Sequence, residues 1–187
     1  MQSNAGPRSL SVRDLTYTAL MTALMAVCAW ITVPMTVPFT MQTFGVFMAL
    51  LVLGGAKGTM AIALYILLGM AGVPVFSGFN GGIGVLAGPT GGYIVGFLFT
   101  GILYWALQKF CKNRKGKAGV LAAGLCLCYV FGTVWFSHVM NGRETPVGFF
   151  QAIGMCVAPY VLPDLLKLLL ALQLNERLKK AGVVSRS

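Results

Sequence analysis

Long apolar runs, each able to cross a lipid bilayer, limit the folds that this chain can adopt. The first of them, residues 15–33, contains nineteen residues and no charged side chain. A membrane-spanning helix needs about 20 such residues. Only 10% of the whole chain is charged, against about 25% in a typical soluble domain. We therefore predict an all-α integral membrane protein without a separate soluble domain.

Prolines, glycines and basic clusters divide the chain into six predicted transmembrane helices that form a single domain over 1–187. The last helix is expected to begin at Pro163, because proline is tolerated in the first turn, where its missing N–H is no loss. Residues 1–14 are predicted to be a cytoplasmic tail, and 147–158 a short tilted or interfacial segment. The predicted helices are 15–33, 44–55, 58–72, 91–107, 118–139 and 163–180.

The positions of the basic residues predict the orientation of the chain in the membrane. Cytoplasmic loops carry an excess of Lys and Arg. If both termini are cytoplasmic, twelve of the fourteen basic residues lie on that side, Arg143 faces outward and Lys167 falls within the last helix. The net charge of +10 therefore indicates topology in the cytoplasmic membrane rather than binding to nucleic acid. The twelve are Arg8, Arg13, Lys57, Lys109, Lys112, Arg114, Lys115, Lys117, Arg177, Lys179, Lys180 and Arg186.

Two opposite charges interrupt the last apolar run, VLPDLLKLLLALQL. A charge among lipid tails costs roughly 2.5–3.5 kcal/mol or more, and such residues usually mark functional sites. Asp164 and Lys167 are three positions apart and share one helix face, and Asp164 lies near the helix N-terminus, which favours a carboxylate. The pair is predicted either to bind a ligand in a cavity near the outer surface or to form a salt bridge that merely tolerates the interface.

Two uncharged loops, 34–43 and 73–91, are predicted on the same side as this pair. Both are rich in glycine, proline or short polar side chains, and glycine lets the backbone approach a ligand closely. They are interpreted as a ligand lid, with ordinary surface loops as the alternative. The polar side chains are Thr36, Thr40, Gln42, Ser77, Asn80 and Thr90, and the aromatic side chains expected to wall a pocket are Phe39, Phe76, Phe79, Tyr93 and Tyr160.

Four sequence blocks resemble the signature blocks of the BioY family. They are PFTMQTF (38–44), GVPVFSGFNGG (72–82), LAGPTGGYIVGF (86–97) and LPDLLK (162–167). The family comprises the biotin-specific S-components of energy-coupling-factor (ECF) vitamin transporters. The resemblance implies an S-component fold of six helices with an outward-facing biotin pocket. It also implies a partner module of one transmembrane scaffold subunit and two ATPases.

The resemblance further implies that Asp164, Lys167 and Asn80 hold biotin. The chemistry agrees, because an ammonium suits the acidic tail of biotin while carboxylate and amide groups can bond the N–H groups of its ureido ring. By charge, Lys167 is preferred for the carboxylate, although which group meets which end is left open. Gln42 and Tyr93 are added as candidate ligand contacts from the loops, where either residue could instead serve only loop structure.

Ala19 and Ala23 form a pair of small residues on one face of the first helix. Small residues at this spacing let two helices approach closely in lipid, although alanine is common in membrane helices generally. S-components dock on the scaffold subunit through such an alanine motif. The resemblance therefore implies that this face binds the partner.

The predicted function is high-affinity capture of biotin for uptake, without a cofactor and without chemistry on the substrate. No G-x-x-x-x-G-K-[ST] motif occurs in the sequence, so ATP hydrolysis is assigned to partner subunits. Two alternatives remain: a biotin carrier that works without ATPases, and an S-component for another vitamin. An intramembrane enzyme is disfavoured because the sequence lacks a His–Asp pair, a G-x-S-x-G motif and a metal-binding cluster.

Overall fold

The computed structural model describes residues 11–35, 37–111, 113–142 and 148–182. The predictions made for Arg8, Thr36, Lys112, Arg143 and Arg186 fall outside these ranges, as does most of the N-terminal tail. The helices are α1 (Val12–Trp30), α2 (Gln42–Leu53), α3 (Gly55–Met70), α4 (Ile83–Ala87), α5 (Gly91–Leu107), α6 (Arg114–Asn141), α7 (Phe149–Cys156) and α8 (Ala158–Lys180).

Six apolar helical units emerge from these elements within the described residues. Three helices, α1, α5 with its continuation to Phe110, and α6, are long and apolar enough to cross a membrane. α7 and α8 together form a fourth candidate, bent by 44° at their junction. α2 and α3 are shorter apolar helices, joined at Gly54, whose φ of 79° suits glycine.

Short elements connect the helices at the end where the loops 34–43 and 73–91 lie. Two-residue strands, β1 (Thr32–Val33) and β2 (Phe39–Thr40), pair antiparallel after α1. A 3₁₀ turn, Ser77–Phe79, precedes α4, so part of the predicted glycine-rich loop is helical. At the opposite end of the bundle, a second 3₁₀ turn, Gln108–Phe110, extends α5 toward the basic segment.

The last helix begins earlier than the sequence suggested. It starts at Ala158 rather than Pro163, and Pro163 lies inside it. Pro159 occupies the first turn instead, and the missing N–H of Pro163 removes only the bond to the carbonyl four residues back. The segment expected at 147–158 appears as α7, Phe149–Cys156. The helix begins earlier because Pro159 suits its first turn, and Pro163 is then accommodated with the loss of one backbone hydrogen bond.

Small residues set the close packing of α5 against α6. A Cβ added at Gly96 would lie 2.8 Å from the Cys128 sulfur, and one added at Gly124 would lie 2.7 Å from Thr100 Cγ2. Thr100 Oγ1 also donates to the Gly124 carbonyl at 2.8 Å. Such small-residue contacts are how helices associate in lipid, where apolar burial against another helix has no solvent advantage.

Charged contacts collect at one end of the bundle. Lys57 Nζ lies 2.5 Å from Asp14 Oδ1, which joins the starts of α1 and α3. Arg114 Nη1 lies 3.3 Å from Glu176 Oε2, which joins the start of α6 to the end of α8. Because surface ion pairs contribute at most about 1 kcal/mol to stability, these contacts identify the charged end of the bundle but stabilise it little. It is the end that the positive-inside rule assigns to the cytoplasm.

Candidate functional site

Asp164 and Lys167 lie at the opposite end of the bundle and face its interior. Only 4% of Asp164 and 6% of Lys167 is exposed. Lys167 Nζ donates to Asp164 Oδ1 at 2.7 Å across one turn of α8. The pair is therefore a salt bridge, and it is buried inside the bundle rather than placed at a lipid interface.

Donors from three helices converge on the Asp164 carboxylate. Besides Lys167 on α8, Thr43 Oγ1 on α2 donates to Oδ1 at 2.8 Å, and Tyr129 Oη on α6 donates to Oδ2 at 2.6 Å. Bonds to a charged acceptor are shorter and stronger than neutral ones. Asp164 thus fixes the positions of α2, α6 and α8 relative to one another.

The Lys167 ammonium reaches across to the segment before α2. It donates to the Thr40 carbonyl on β2 at 2.6 Å and stands 4.1 Å from the centroid of the Phe39 ring, a cation–π distance. Tyr160, about two turns earlier on α8, donates to the carbonyl of Val37. The loop 34–43 is therefore tethered to α8 at two points.

A cavity of about 70 Å³ lies beside the pair. Its apolar wall comes from α5 and α6, with Ile94, Phe97 and Leu125, and its polar lining includes Thr43 and Tyr129. Pockets for drug-sized ligands measure roughly 300–1,000 Å³. A ligand of vitamin size therefore requires this cavity to widen, and the segment before α2 lines one side of it through Val37, Pro38 and Thr40.

The whole chain matches a known family. The sequence profile of the BioY family matches residues 1–183. The chain belongs to the BioY family. The biotin transporter BioY of Thermotoga maritima is 39% identical over 176 residues, which cover 92% of this chain and 99% of the relative. A probable biotin transporter BioY of Pyrococcus horikoshii is 36% identical over 174 residues, which cover 91% and 98%.

A solved structure agrees with the BioY assignment. The crystal structure at 2.1 Å of the S-component for biotin from an ECF-type ABC transporter superposes with a TM-score of 0.80. It is 29% identical in sequence, and the match covers 94% of this chain and 95% of the other. This likeness confirms the predicted all-α membrane fold of the S-component type.

Two candidates from the BioY-like blocks line the cavity. Gln42 is buried, and its Nε2 donates to Tyr65 Oη at 2.7 Å. The Tyr93 hydroxyl lies 3.2 Å from Thr133 Oγ1. Both polar groups thus have protein partners within hydrogen-bonding distance, so a ligand contact would share or exchange these bonds.

The structure places Asn80 away from the buried pair. Its side chain is exposed and outside the cavity lining, and its Nδ2 donates to the Ser77 carbonyl at 2.9 Å within the same loop. Its backbone carbonyl accepts from the Phe76 N–H at 2.9 Å. These short local bonds satisfy asparagine without a distant partner. Ser77 and Thr90 are the polar side chains predicted for this loop that line the cavity.

The aromatic residues that the sequence predicted to wall a pocket divide between the cavity and its surroundings. Tyr160 and Tyr93 line the cavity, and Phe39 meets the Lys167 ammonium. Phe76 is fully buried with its ring centroid 5.5 Å from that of Tyr65, and Phe79 stacks on Trp30 at 5.0 Å. Those two support the loop 73–91 rather than the cavity.

Sequence reasoning missed Thr43 and Tyr129, the two remaining donors to Asp164. Thr43 directly follows Gln42 in the first block, and Tyr129 carries a hydroxyl within the long apolar α6. A polar group in the middle of a span usually faces a partner or a cavity. That rule, applied to hydroxyls as well as charges, is the signal that points to Tyr129.

Proposed function

We propose that this chain is the high-affinity biotin-binding S-component of an ECF-type ABC transporter and takes part in biotin uptake across the cytoplasmic membrane. It is a transport component rather than an enzyme. The observation that carries the proposal is the buried Asp164–Lys167 pair beside a cavity, at the end of the bundle opposite the basic cluster. The names of its relatives and structural neighbour support biotin as the ligand.

The bonding capacity of the pair fits the two polar ends of biotin. An ammonium has three N–H donors, and Lys167 uses two of them on Asp164 and Thr40. The third is available for the carboxylate of biotin. A carboxylate has about four acceptor positions, and Asp164 Oδ2 accepts only from Tyr129 among the described residues. Its remaining position suits a ureido N–H, in a low-dielectric site where each bond is stronger than in water.

The apolar parts of biotin suit the wall of the cavity. Ile94, Phe97 and Leu125 present hydrocarbon to the aliphatic tail and the thioether ring. Widening the cavity requires the loop 34–43 to withdraw, which breaks the tethers from Lys167 and Tyr160. We propose that biotin enters while this loop is withdrawn, and that loops 34–43 and 73–91 then close over it.

Three further residues remain proposed ligand contacts, Gln42, Tyr93 and Asn80, and they differ in whether they line the cavity. Gln42 and Tyr93 already line the cavity. Asn80 reaches a ligand only if its loop shifts and its bond to Ser77 is given up. A closing movement of the loop 73–91 would supply that shift.

The partner module is proposed to contain one transmembrane scaffold subunit and two ATPases. The exposed face of α1 suits the scaffold, because Ala19 and Ala23 both point away from the rest of the bundle. Two exposed small side chains one turn apart allow a partner helix to approach closely. Reorientation of the loaded protein, coupled to ATP hydrolysis in the partners, would then release biotin inside.

Biotin affinity of matched charge variants tests the proposed site. Asp164→Asn and Lys167→Met remove the buried pair, whereas Asp14→Asn and Lys57→Met remove a pair of the same residue types at the other end. Bonds to charged groups contribute about 1.5–3 kcal/mol, so each site variant should weaken binding by about 10- to 150-fold. The control variants should bind as the parent does.

Three outcomes would redirect the proposal. Parental biotin binding by both site variants would show that the site is misplaced. A thermal-shift panel that responds to thiamin or riboflavin but not to biotin would assign the chain to another vitamin. Biotin uptake by cells that lack ECF ATPases would favour a carrier that works alone.

A further inference from the structure

Two adjoining recesses on the outer surface of α5 and α6 form a continuous track. The apolar groove lies between the helices and is lined on α5 by Phe99 and Leu103 and on α6 by Leu127 and Val130. The head pocket lies further along α5, at Trp105, Gln108 and Lys109. Ile102 and Ala106 line both recesses and join them. We propose that this track binds an anionic phospholipid, with the acyl chain in the apolar groove and the phosphate at Lys109.

The length of the track matches one leaflet of a bilayer. Lys109 follows Phe99 by ten positions, which is about 15 Å along a helix. The hydrocarbon core of a bilayer is about 30 Å thick, so the track runs from one surface to about the midplane. Phe99 and Phe131 pack edge to face at the end distant from Lys109, with ring centroids 4.9 Å apart.

The apolar groove has a volume of about 530 Å³, and both helices that line it are candidate membrane spans. A leucine surface and a lipid tail are equally apolar, so burial in lipid gives no preference for this face. Shape therefore holds the acyl chain in the groove, and the head pocket has to determine which lipid binds.

Charge at the head pocket favours an anionic lipid. Within the described ranges, no carboxylate lies within 4.0 Å of the Lys109 ammonium, whereas Lys57 and Arg114 each have an acidic partner. The Gly55 N–H donates to the side-chain oxygen Oε1 of Gln108 at 2.7 Å. The side-chain amide group of Gln108 keeps its two N–H donors. The exposed Trp105 indole adds a side chain typical of the membrane interface.

The site is separate from both proposed functional surfaces. The biotin cavity lies at the other end of the bundle, and its lining includes neither Lys109 nor Ala106. The proposed docking face lies on α1, which contributes no residue to the track. An occupied lipid site would therefore leave biotin binding and partner docking open.

Native mass spectrometry of the purified full chain tests the proposal. Phosphatidylglycerol and phosphatidylcholine with identical acyl chains are titrated onto the wild type and onto Lys109→Gln, with Lys115→Gln, an exposed lysine of the same basic segment, as the matched control. A basic residue near an anionic surface contributes about 1 kcal/mol, so Lys109→Gln should weaken phosphatidylglycerol binding about fivefold. Phosphatidylcholine binding and the control should be unchanged.

Filling the groove provides a second, independent arm. Ala106→Trp should reduce retention of both lipids, and Val130→Trp on α6 should do the same if Ala106→Trp fails to fold. Unchanged lipid selectivity in Lys109→Gln, or an equal loss in Lys115→Gln, would overturn the proposal. So would a wild-type dimer that Ala106→Trp converts to a monomer, because the groove would then cover a second copy of the chain.

Discussion

The ion pair between Asp164 and Lys167 should contribute far more to stability than the pair between Asp14 and Lys57. At an effective dielectric constant of about 20, unit charges at the 2.7 Å of the buried pair attract by about 6 kcal/mol. In water, with a dielectric constant of about 80, the attraction within the more exposed Asp14–Lys57 pair is roughly fourfold weaker at a similar distance, before side-chain entropy and salt reduce it. Desolvation offsets part of the attraction within the buried pair, and breaking such a pair typically costs 3–5 kcal/mol.

A double-mutant cycle on the free energy of unfolding measures this difference. Lys167→Met should destabilise the protein by about 3–5 kcal/mol, because it leaves a buried carboxylate with only two of its donors. Lys167→Met combined with Asp164→Leu should recover much of that loss, since no buried charge remains. The equivalent cycle at Asp14 and Lys57 should give a much smaller coupling, because that pair is exposed to solvent and screened by salt. Equal couplings for the two pairs, measured by reversible unfolding in mixed micelles, would refute the reasoning.

Three further predictions concern packing, docking and loop closure. Gly96→Ala should destabilise the protein by about 1–3 kcal/mol, because the added Cβ lies 2.8 Å from a sulfur on α6. Gly119→Ala has nothing within 4 Å of its added Cβ and should be slightly stabilising in the same unfolding assay, because alanine favours a helix over glycine. Ala19→Trp with Ala23→Trp should abolish co-purification with a scaffold subunit and preserve biotin affinity; retained co-purification would place docking elsewhere. Tyr160→Phe removes one tether of the outer loop and should raise the association rate of biotin in stopped-flow measurements, and an unchanged rate would show that this tether does not limit entry.

The sequence located the charged pair because its geometry is local. A spacing of three positions on one helix determines a shared face, and the cost of charge in lipid determines that the face is turned inward. The structure brings Gln42 and Tyr93, which were named as candidates from the loops, to the lining of the same cavity. These residues were predictable because each belongs to a segment with a recognisable pattern.

The remaining site residues depend on packing between distant segments. Thr43 and Tyr129 reach Asp164 from positions 121 and 35 residues away, and no local spacing encodes those contacts. Asn80 shows the opposite case, because its sequence block pointed to the ligand while short bonds within its own loop hold its side chain outside the cavity. The predicted start of the last helix was wrong because Pro159 suits a first turn as well as Pro163 does, and the sequence alone does not choose between them.

The arrangement around Lys167 gives a reason for a binding protein to retain a buried ion pair, although well-packed apolar residues are often equally stable in such a position. The same ammonium bonds Asp164, which orders three helices, and the Thr40 carbonyl, which holds the outer loop. In the proposed mode of binding, the ligand carboxylate replaces the Thr40 carbonyl while the loop is withdrawn and takes the third N–H of the ammonium when the loop closes again, so the charge is never left unpaired. A neutral ligand of the same shape cannot make that exchange and would leave a buried donor unmet, which costs about 1–3 kcal/mol or more. In the proposed mode of binding, selectivity for an acidic ligand and the position of the outer loop therefore both depend on Lys167.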